Sequence, residues 1–295
     1  MFGHKWFLKI GELSDSSISG LTQEANELIN CTFSFSQGMD FRGQPQTRVN
    51  VDNLVLTYDG LPTQDIIYWA MTPTKLHNGA CVLCDADGTP VDKLFFEDGA
   101  CVGLSLTYIN DGKSPSVITH IVIQPRKIIS GDETITYKWL SMPTVTTSSN
   151  SRNNKAAVQA LSFKIPQPIG KTSLALVLED KRYEIERFNI SFTQGIDHNG
   201  EPQEDTRGGL IEFSIASLPD KLLNRWMFKD TEVKGGVFVF EQGLQSSPLK
   251  INFTEAFCVH LASRTDGGKG LVTDYVITAN EVDLNGKWLY KNFNL

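Results

Sequence analysis

Apolar and polar residues alternate one for one along much of this chain. Phe33 and Phe35 are interleaved with Thr32, Ser34 and Ser36, and Phe188, Ile190 and Phe192 with Asn189, Ser191 and Thr193. A period of two sends successive side chains to opposite faces, so each run predicts a strand with one face buried. Leu54, Leu56 and Tyr58 alternate in the same way, as do Ile211, Phe213 and Ile215. Further strands are predicted at Ala80–Leu83, Lys93–Phe96, Cys101–Tyr108 and Val117–Ile123. Their counterparts are Gly236–Phe240, Leu249–Phe253, Phe257–Ala262 and Val272–Thr278, with Gly-, Asp- and Pro-rich turns between. The period lengthens at two places. Ile66, Trp69 and Ala70 fall at i, i+3 and i+4, as do Leu223, Trp226 and Met227, and each group follows an N-cap type residue, Thr63 or Asp220. Each predicts a helix of about two turns whose tryptophan seals the core.

The elements come in pairs because the sequence repeats. Slid by 157 positions, Cys31–Gln46 lies over Phe188–Gln203 with eight of sixteen residues identical. The same register places Trp69 on Trp226, Gly79 on Gly236, Phe96 on Phe253, and Cys101-Val102 on Cys258-Val259. A register held this long is the duplication of a domain, not of a motif or a solenoid unit. The predicted fold is mostly β: two tandem small antiparallel β-barrel or sandwich domains, each with one short α-helix. They are placed at 1–128 and 172–295, with a linker at 129–171. Val145–Asn154 is Ser- and Asn-rich and Ile165–Lys171 carries two prolines, which is linker chemistry. Leu13–Glu27 is an insertion where the second copy has a tight turn at Glu179–Arg182. Tyr137-Lys-Trp-Leu140 matches Gly286-Lys-Trp-Leu289, which predicts a shared C-terminal tail. Arg48-Val-Asn50 is set against Arg207-Gly-Gly209.

Composition narrows the function. The chain has 295 residues, 40% of them hydrophobic, and a net charge of −7. That is a folded chain, and its acidity argues against a nucleic-acid partner. No apolar run nears the roughly 18 residues of a spanning helix, and Met1–Ile10 lacks a signal peptide's features, so a cytoplasmic protein without membrane insertion is expected. Five cysteines (Cys31, Cys81, Cys84, Cys101 and Cys258) sit largely in apolar runs and read as reduced packing thiols.

Catalytic chemistry is not legible. The five histidines (His4, His77, His120, His198 and His260) occur in no hydrolase or metalloprotease pattern. His77, Cys81 and Cys84 have a spacing zinc accepts, but Cys81 and Cys84 would face opposite sides of a strand. Lys234, Phe238 and Glu241 replace these residues in the second copy. Asp266–Gly270 lacks phosphate-loop spacing and reads as a turn. The sequons at Asn30, Asn189 and Asn252 fall on strands. No cofactor or metal is expected, and the chain is read as a non-enzyme. What repeats outside the core is a turn: Gln37, Gly38, Asp40, Gly43 and Pro45, matched by Gln194, Gly195, Asp197, Gly200 and Pro202. It is either a tight connection, with glycine supplying positive φ and proline fixing the exit, or a loop that docks neighbouring subunits.

In its order of motifs the second copy resembles the type VI secretion tube proteins (Hcp, or TssD), in the form found in Bacteroidota. The resemblance rests on Ser191–Asp197 with Gly200 and Pro202, on Arg207, Gly208 and Gly209 before an alternating strand, on the Trp226-Met227 helix, on Ile251–Ala256 and on Ile277–Ala279. It implies a compact barrel that packs six to a ring, rings that stack into a tube, and no active site. Self-association is the implied partnership. The sheath, baseplate or spike and effector cargo are the other implied partners, with export through the apparatus. Family members are usually single domains, so two copies per chain imply a trimer forming a pseudo-hexameric ring. The loop residues above, with Arg207, Gly208 and Gly209, are then the expected interface residues. The divergence of the halves implies a specialised ring or adaptor. The competing reading is a β-sandwich binding module or secreted cargo that forms no tube.

Overall fold

The computed structural model describes residues 3–11, 25–112, 114–137, 139, 172–229, 231–243, 246–266 and 270–291. The linker segments Val145–Asn154 and 165–171, the interior of the Asp266–Gly270 turn and most of the Leu13–Glu27 insertion lie outside those residues.

The first copy contains β1 (Lys5–Ile10), β2 (Asn26–Leu28), β3 (Asn30–Thr32), β4 (Phe35–Ser36), β5 (Asn50–Val51), β6 (Leu54–Asp59), α1 (Gln64–Ala70), β7 (Leu76–Cys84), β8 (Pro90–Ile109), β9 (Ser116–Gln124), β10 (Lys127–Ser130) and β11 (Glu133–Thr136). The second contains β12 (Thr172–Leu178), β13 (Lys181–Glu184), β14 (Arg187–Thr193), β15 (Arg207–Ile215), α2 (Lys221–Phe228), β16 (Lys234–Gln242), β17 (Ser246–Asp266), β18 (Gly270–Leu284) and β19 (Lys287–Tyr290). Every pairing is antiparallel. The first half of β8 is flanked by β7 and β10, and β1 and β2 continue beyond β7. Its second half pairs with β9, followed by β6 and β3. In the second copy β17 plays the same part: β16, β12 and β13 lie on one side of its first half, and β18 and β15 follow its second half. The chain is therefore mostly β in two like domains, and each domain wraps around one long bent strand.

That strand differs from the sequence expectation. Lys93–Phe96 and Cys101–Tyr108 belong to a single strand, as do Leu249–Phe253 and Phe257–Ala262. The Glu97-Asp98-Gly99 stretch that reads as a turn is a kink, with Asp98 at φ 48°. Glu255, 157 residues later, also has φ 48°. Both strands then carry a bulge, at Cys101/Gly103 and at Cys258/His260. A bulge bends a strand without ending it, which lets one strand serve two sheets.

The helices cap the bend. Thr63 Oγ1 accepts from Ile66 N, and Asp220 accepts from Leu222 N and Leu223 N, satisfying donors the first turn leaves open. Both tryptophans are 1% exposed. Trp69 Nε1 donates to Gly99 O at 3.2 Å and Trp226 Nε1 to Ala256 O at 2.8 Å, so each indole is pinned to the kink beneath it.

Two correspondences differ from the sequence reading. The β18–β19 hairpin, with Leu284 opposite Lys287, matches the β10–β11 hairpin, with Ser130 opposite Glu133. Lys287–Tyr290 thus corresponds to Glu133–Thr136 and not to the Tyr137 segment, because the second copy is shorter here and its register moves to 154. The paired strands also set Arg207 against Asn50, not Arg48, since Leu54 and Ile211 both face the matching isoleucines Ile123 and Ile277. The first copy's ladder runs past residue 128, as β10 pairs onto β8 and β11 onto β10.

Candidate functional site

The repeated turn is built the same way twice. Asp40 Oδ1 accepts from Arg42 N (2.8 Å) and Gln44 N (2.9 Å), and Asp197 Oδ1 accepts from Asn199 N and Glu201 N (both 2.8 Å). Burial pushes the Asp197 carboxyl up, but the Glu201 and Asn199 amides outweigh it and hold the group below the usual carboxylate range. Gln37 Nε2 reaches Thr47 O at 2.7 Å, and Gln194 Nε2 reaches Glu204 O at 2.8 Å. Met39 and Ile196 form bridges to Pro45 and Pro202. Gly43 and Gly200 take φ of 78° and 76°, where glycine alone is unstrained. Each identical residue of the motif therefore has a local structural task.

The surroundings of the two turns differ. β14 pairs with β15 of its own copy on one side and with the second half of β8 on the other, from Arg187 opposite Ile109 to Thr193 opposite Gly103. This ladder joins the two copies. Gln194 N donates to Val102 O at 2.9 Å, Asn110 N to Glu186 O at 2.8 Å, and Thr206 Oγ1 to Ala70 O at 3.1 Å. A groove of about 430 Å³ runs between Asn50–Asn53, Gln124 and Tyr137 of the first copy and Ile196–His198 of the second. Tyr137 OH donates to Val51 O at 2.7 Å and forms one wall. The second-copy turn thus lies against the first copy, whereas the first-copy turn lies open. Arg207, Gly208 and Gly209 open β15 on the far side of the second copy's turn, where Arg207 pairs with Glu204 at 2.8 Å.

Burial records the same asymmetry. Phe192 is 2% exposed but its counterpart Phe35 is 42% exposed. Val102 is 6% and Val259 51%, and Met71 is 5% and Phe228 80%. Phe192 and Met71 lie at the junction and their counterparts are left bare, whereas Val102 packs against Ala100 and Trp139 of its own copy. Sequence reasoning flagged the loops but missed Val259 and Phe228, which become visible only when a buried residue is compared with its own repeat.

Gly200 tests the contact. A Cβ there would come within 2.7 Å of Gln124 Nε2, whereas one at Gly43 would meet nothing within 4 Å. Gly43→Ala is expected to cost only the strain of positive φ, about 1 kcal/mol. Gly200→Ala is expected to cost roughly 1–2 kcal/mol more, from the clash across the junction. Equal shifts in the thermal midpoint of the two variants would rule out a packed junction at Gly200.

The cysteines and His77 do not converge on one site. Burial raises the Cys101 thiol to about 12 and the Cys258 thiol to about 11, which removes both as nucleophiles at neutral pH. Cys81 lies in the main core and Cys84 in a separate cluster with Ala80 and Val82, while His77 sits edge-on to Trp69 at 5.1 Å. Among the described residues no three His, Cys, Asp or Glu side chains gather as metal ligands, and no helix is long and apolar enough to cross a membrane.

Two like β-domains joined edge to edge, with the edges that match the joined ones left without a strand partner among the described residues, define the class: a tandem β-domain protein. The family described as Hemolysin coregulated protein Hcp (TssD) matches residues 2–140 and again residues 170–293, and the chain belongs to that family, the type VI secretion tube proteins it resembles in sequence. Solved structures similar to it include Hcp1 from Flavobacterium johnsoniae, 24% identical over 40% of this chain and 99% of that one, with a TM-score of 0.38. Hcp1 from Salmonella typhimurium is 18% identical over 45% of this chain and 92% of that one, with a TM-score of 0.32. Comparison with curated proteins finds no match.

Proposed function

We propose that this chain is a ring-forming subunit of a type VI secretion apparatus that carries two adjacent ring positions in one polypeptide. The observation that carries the reading is the β8–β14 ladder. It joins one edge of each copy and leaves the equivalent edges, β3–β4 and the second half of β17, without a strand partner among the described residues. An unpaired edge recruits a strand, and two unlike edges recruit each other head to tail. Moved by 157 residues, the internal register sets Thr32 opposite Arg264 and Phe35 opposite Leu261 of a second chain. The Gln37–Pro45 turn then docks as Gln194–Pro202 does. Three chains complete a ring of six domains. Assembly in the cytoplasm, stacking within a sheath above a baseplate or spike, carriage of cargo and export follow from the family.

Light scattering of the purified chain with negative-stain imaging of the same peak tests this. Trimers seen as open six-lobed rings are expected. A strictly monomeric protein at tens of micromolar would overturn the reading and favour a binding module. The divergence of the halves favours a specialised ring or adaptor over the bulk tube, and long uniform tubes formed by this protein alone would exclude that choice.

A further inference from the structure

A helix and a turn also meet at the junction within the chain. Gln64 of α1 donates through Nε2 to Asn285 O at 3.1 Å. The Lys287 ammonium lies 4.6 Å from the centre of the Tyr68 ring, which Lys75 also approaches at 3.9 Å. The internal contact thus pairs an uncharged helix face with a cationic turn.

The repeat fixes what stands at these positions on the free ends. On α2, Gln64 corresponds to Lys221, Tyr68 to Arg225, and Lys75 to Glu232. Arg225 Nε holds Glu232 at 2.9 Å, as Tyr68 holds Lys75. On the hairpin, the matched registers of β10–β11 and β18–β19 make Gly131, Asp132 and Glu133 the counterparts of Asn285, Gly286 and Lys287. Lys221, Arg225, Asp132 and Glu133 are all exposed. The helix has gained Lys221 and an Arg225 that is shared with Glu232, and the cationic turn has become acidic. Both changes are needed for the two to attract, and they lie on opposite ends of the chain.

We infer that the junction between chains is an ionic version of the junction within the chain, in which Lys221 and Arg225 of one copy of this protein pair with Asp132 and Glu133 of the next. The inference rests on the ring reading and adds its selectivity. Two second-copy ends brought together would set Lys221 and Arg225 against their own counterparts, which repels. Two first-copy ends would set Asp132 and Glu133 against their own counterparts, which also repels. Only the head-to-tail pairing matches charge on both sides, and like-charge juxtaposition disfavours the alternatives.

The test uses the full chain. Mass is measured by light scattering over a concentration series at about 50 and about 500 mM salt, a range across which exposed ion pairs are progressively screened. The wild type is expected to assemble, with its midpoint moving to higher concentration in high salt. D132K/E133K and K221E/R225E are each expected to raise that midpoint at least tenfold, and the quadruple variant is expected to recover most of the loss. Unaltered thermal midpoints show that the variants fold, and the neutral D132N/E133Q should fall between wild type and reversal. Rings that tolerate both reversals, or no recovery in the quadruple variant, would overturn this inference and leave the ring reading intact. A wild type that never assembles would overturn both.

Discussion

Replacing Trp226 by alanine is expected to cost about 3–5 kcal/mol and to unfold the second copy near physiological temperature. The indole is 1% exposed and stacks on Phe253 with centroids 6.2 Å apart and planes 4° from parallel. Its removal leaves a cavity between α2 and the bend of β17, and it orphans the Ala256 carbonyl that Nε1 satisfies. Against a domain stability of roughly 5–15 kcal/mol, that loss decides whether the copy is folded. Trp226→Phe separates the two effects. It keeps most of the ring but not the donor, and should cost about 1–3 kcal/mol. Thermal unfolding followed by circular dichroism measures both. A change under 1 kcal/mol for the alanine variant would show that the helix is not part of the core.

Leu106→Pro is expected to have an effect at least as large, at the junction. Gln194 N and Asn110 N bond across the β8–β14 pair, and alternation along an antiparallel ladder makes Leu106–Ile190 a hydrogen-bonded pair. Proline deletes the donor to Ile190 O, and it also removes a leucine that is 2% exposed. Lost burial of about 2–5 kcal/mol and an orphaned carbonyl worth about 1–3 kcal/mol fall on the strand that joins the copies. Limited proteolysis should then cut the chain into two fragments that separate on a sizing column. Fragments that stay together would show that the ladder is not what holds the copies.

Much of the fold is legible in the sequence because burial of one face imposes its own period. The alternation around Phe188 and the i, i+3, i+4 spacing around Trp69 and Trp226 reappear as a strand and helices where they are expected, whereas the Phe33 run is split into β3 and β4 with Phe35 left 42% exposed. Periodicity says which face is buried but not which strand lies alongside, so the pairing of β14 with β8 is not visible in it. Asp98 and Glu255 show a second limit. A left-handed residue beside Gly or Ala has the composition of a turn, and only the continuing ladders show that it bends a strand without ending it. At the candidate interface, the Gln37 and Gln194 turns stand out because their spacing is identical. Lys221 and Glu133 do not, because what marks them is a difference between copies once the true register of 154 in the last hairpin is known.

The covalent junction also has a consequence for counting. A closed ring of single-domain subunits can stall at five of six when free subunits run out, because partial rings compete for the same last piece. In the proposed ring, chains that hold two positions along β8–β14 add in steps of two, so an odd vacancy does not arise. The tether keeps the local concentration of the joined edges in the millimolar range whatever the dilution. Disassembly therefore returns even-numbered pieces with one free edge of each kind, and every such piece can rejoin any other.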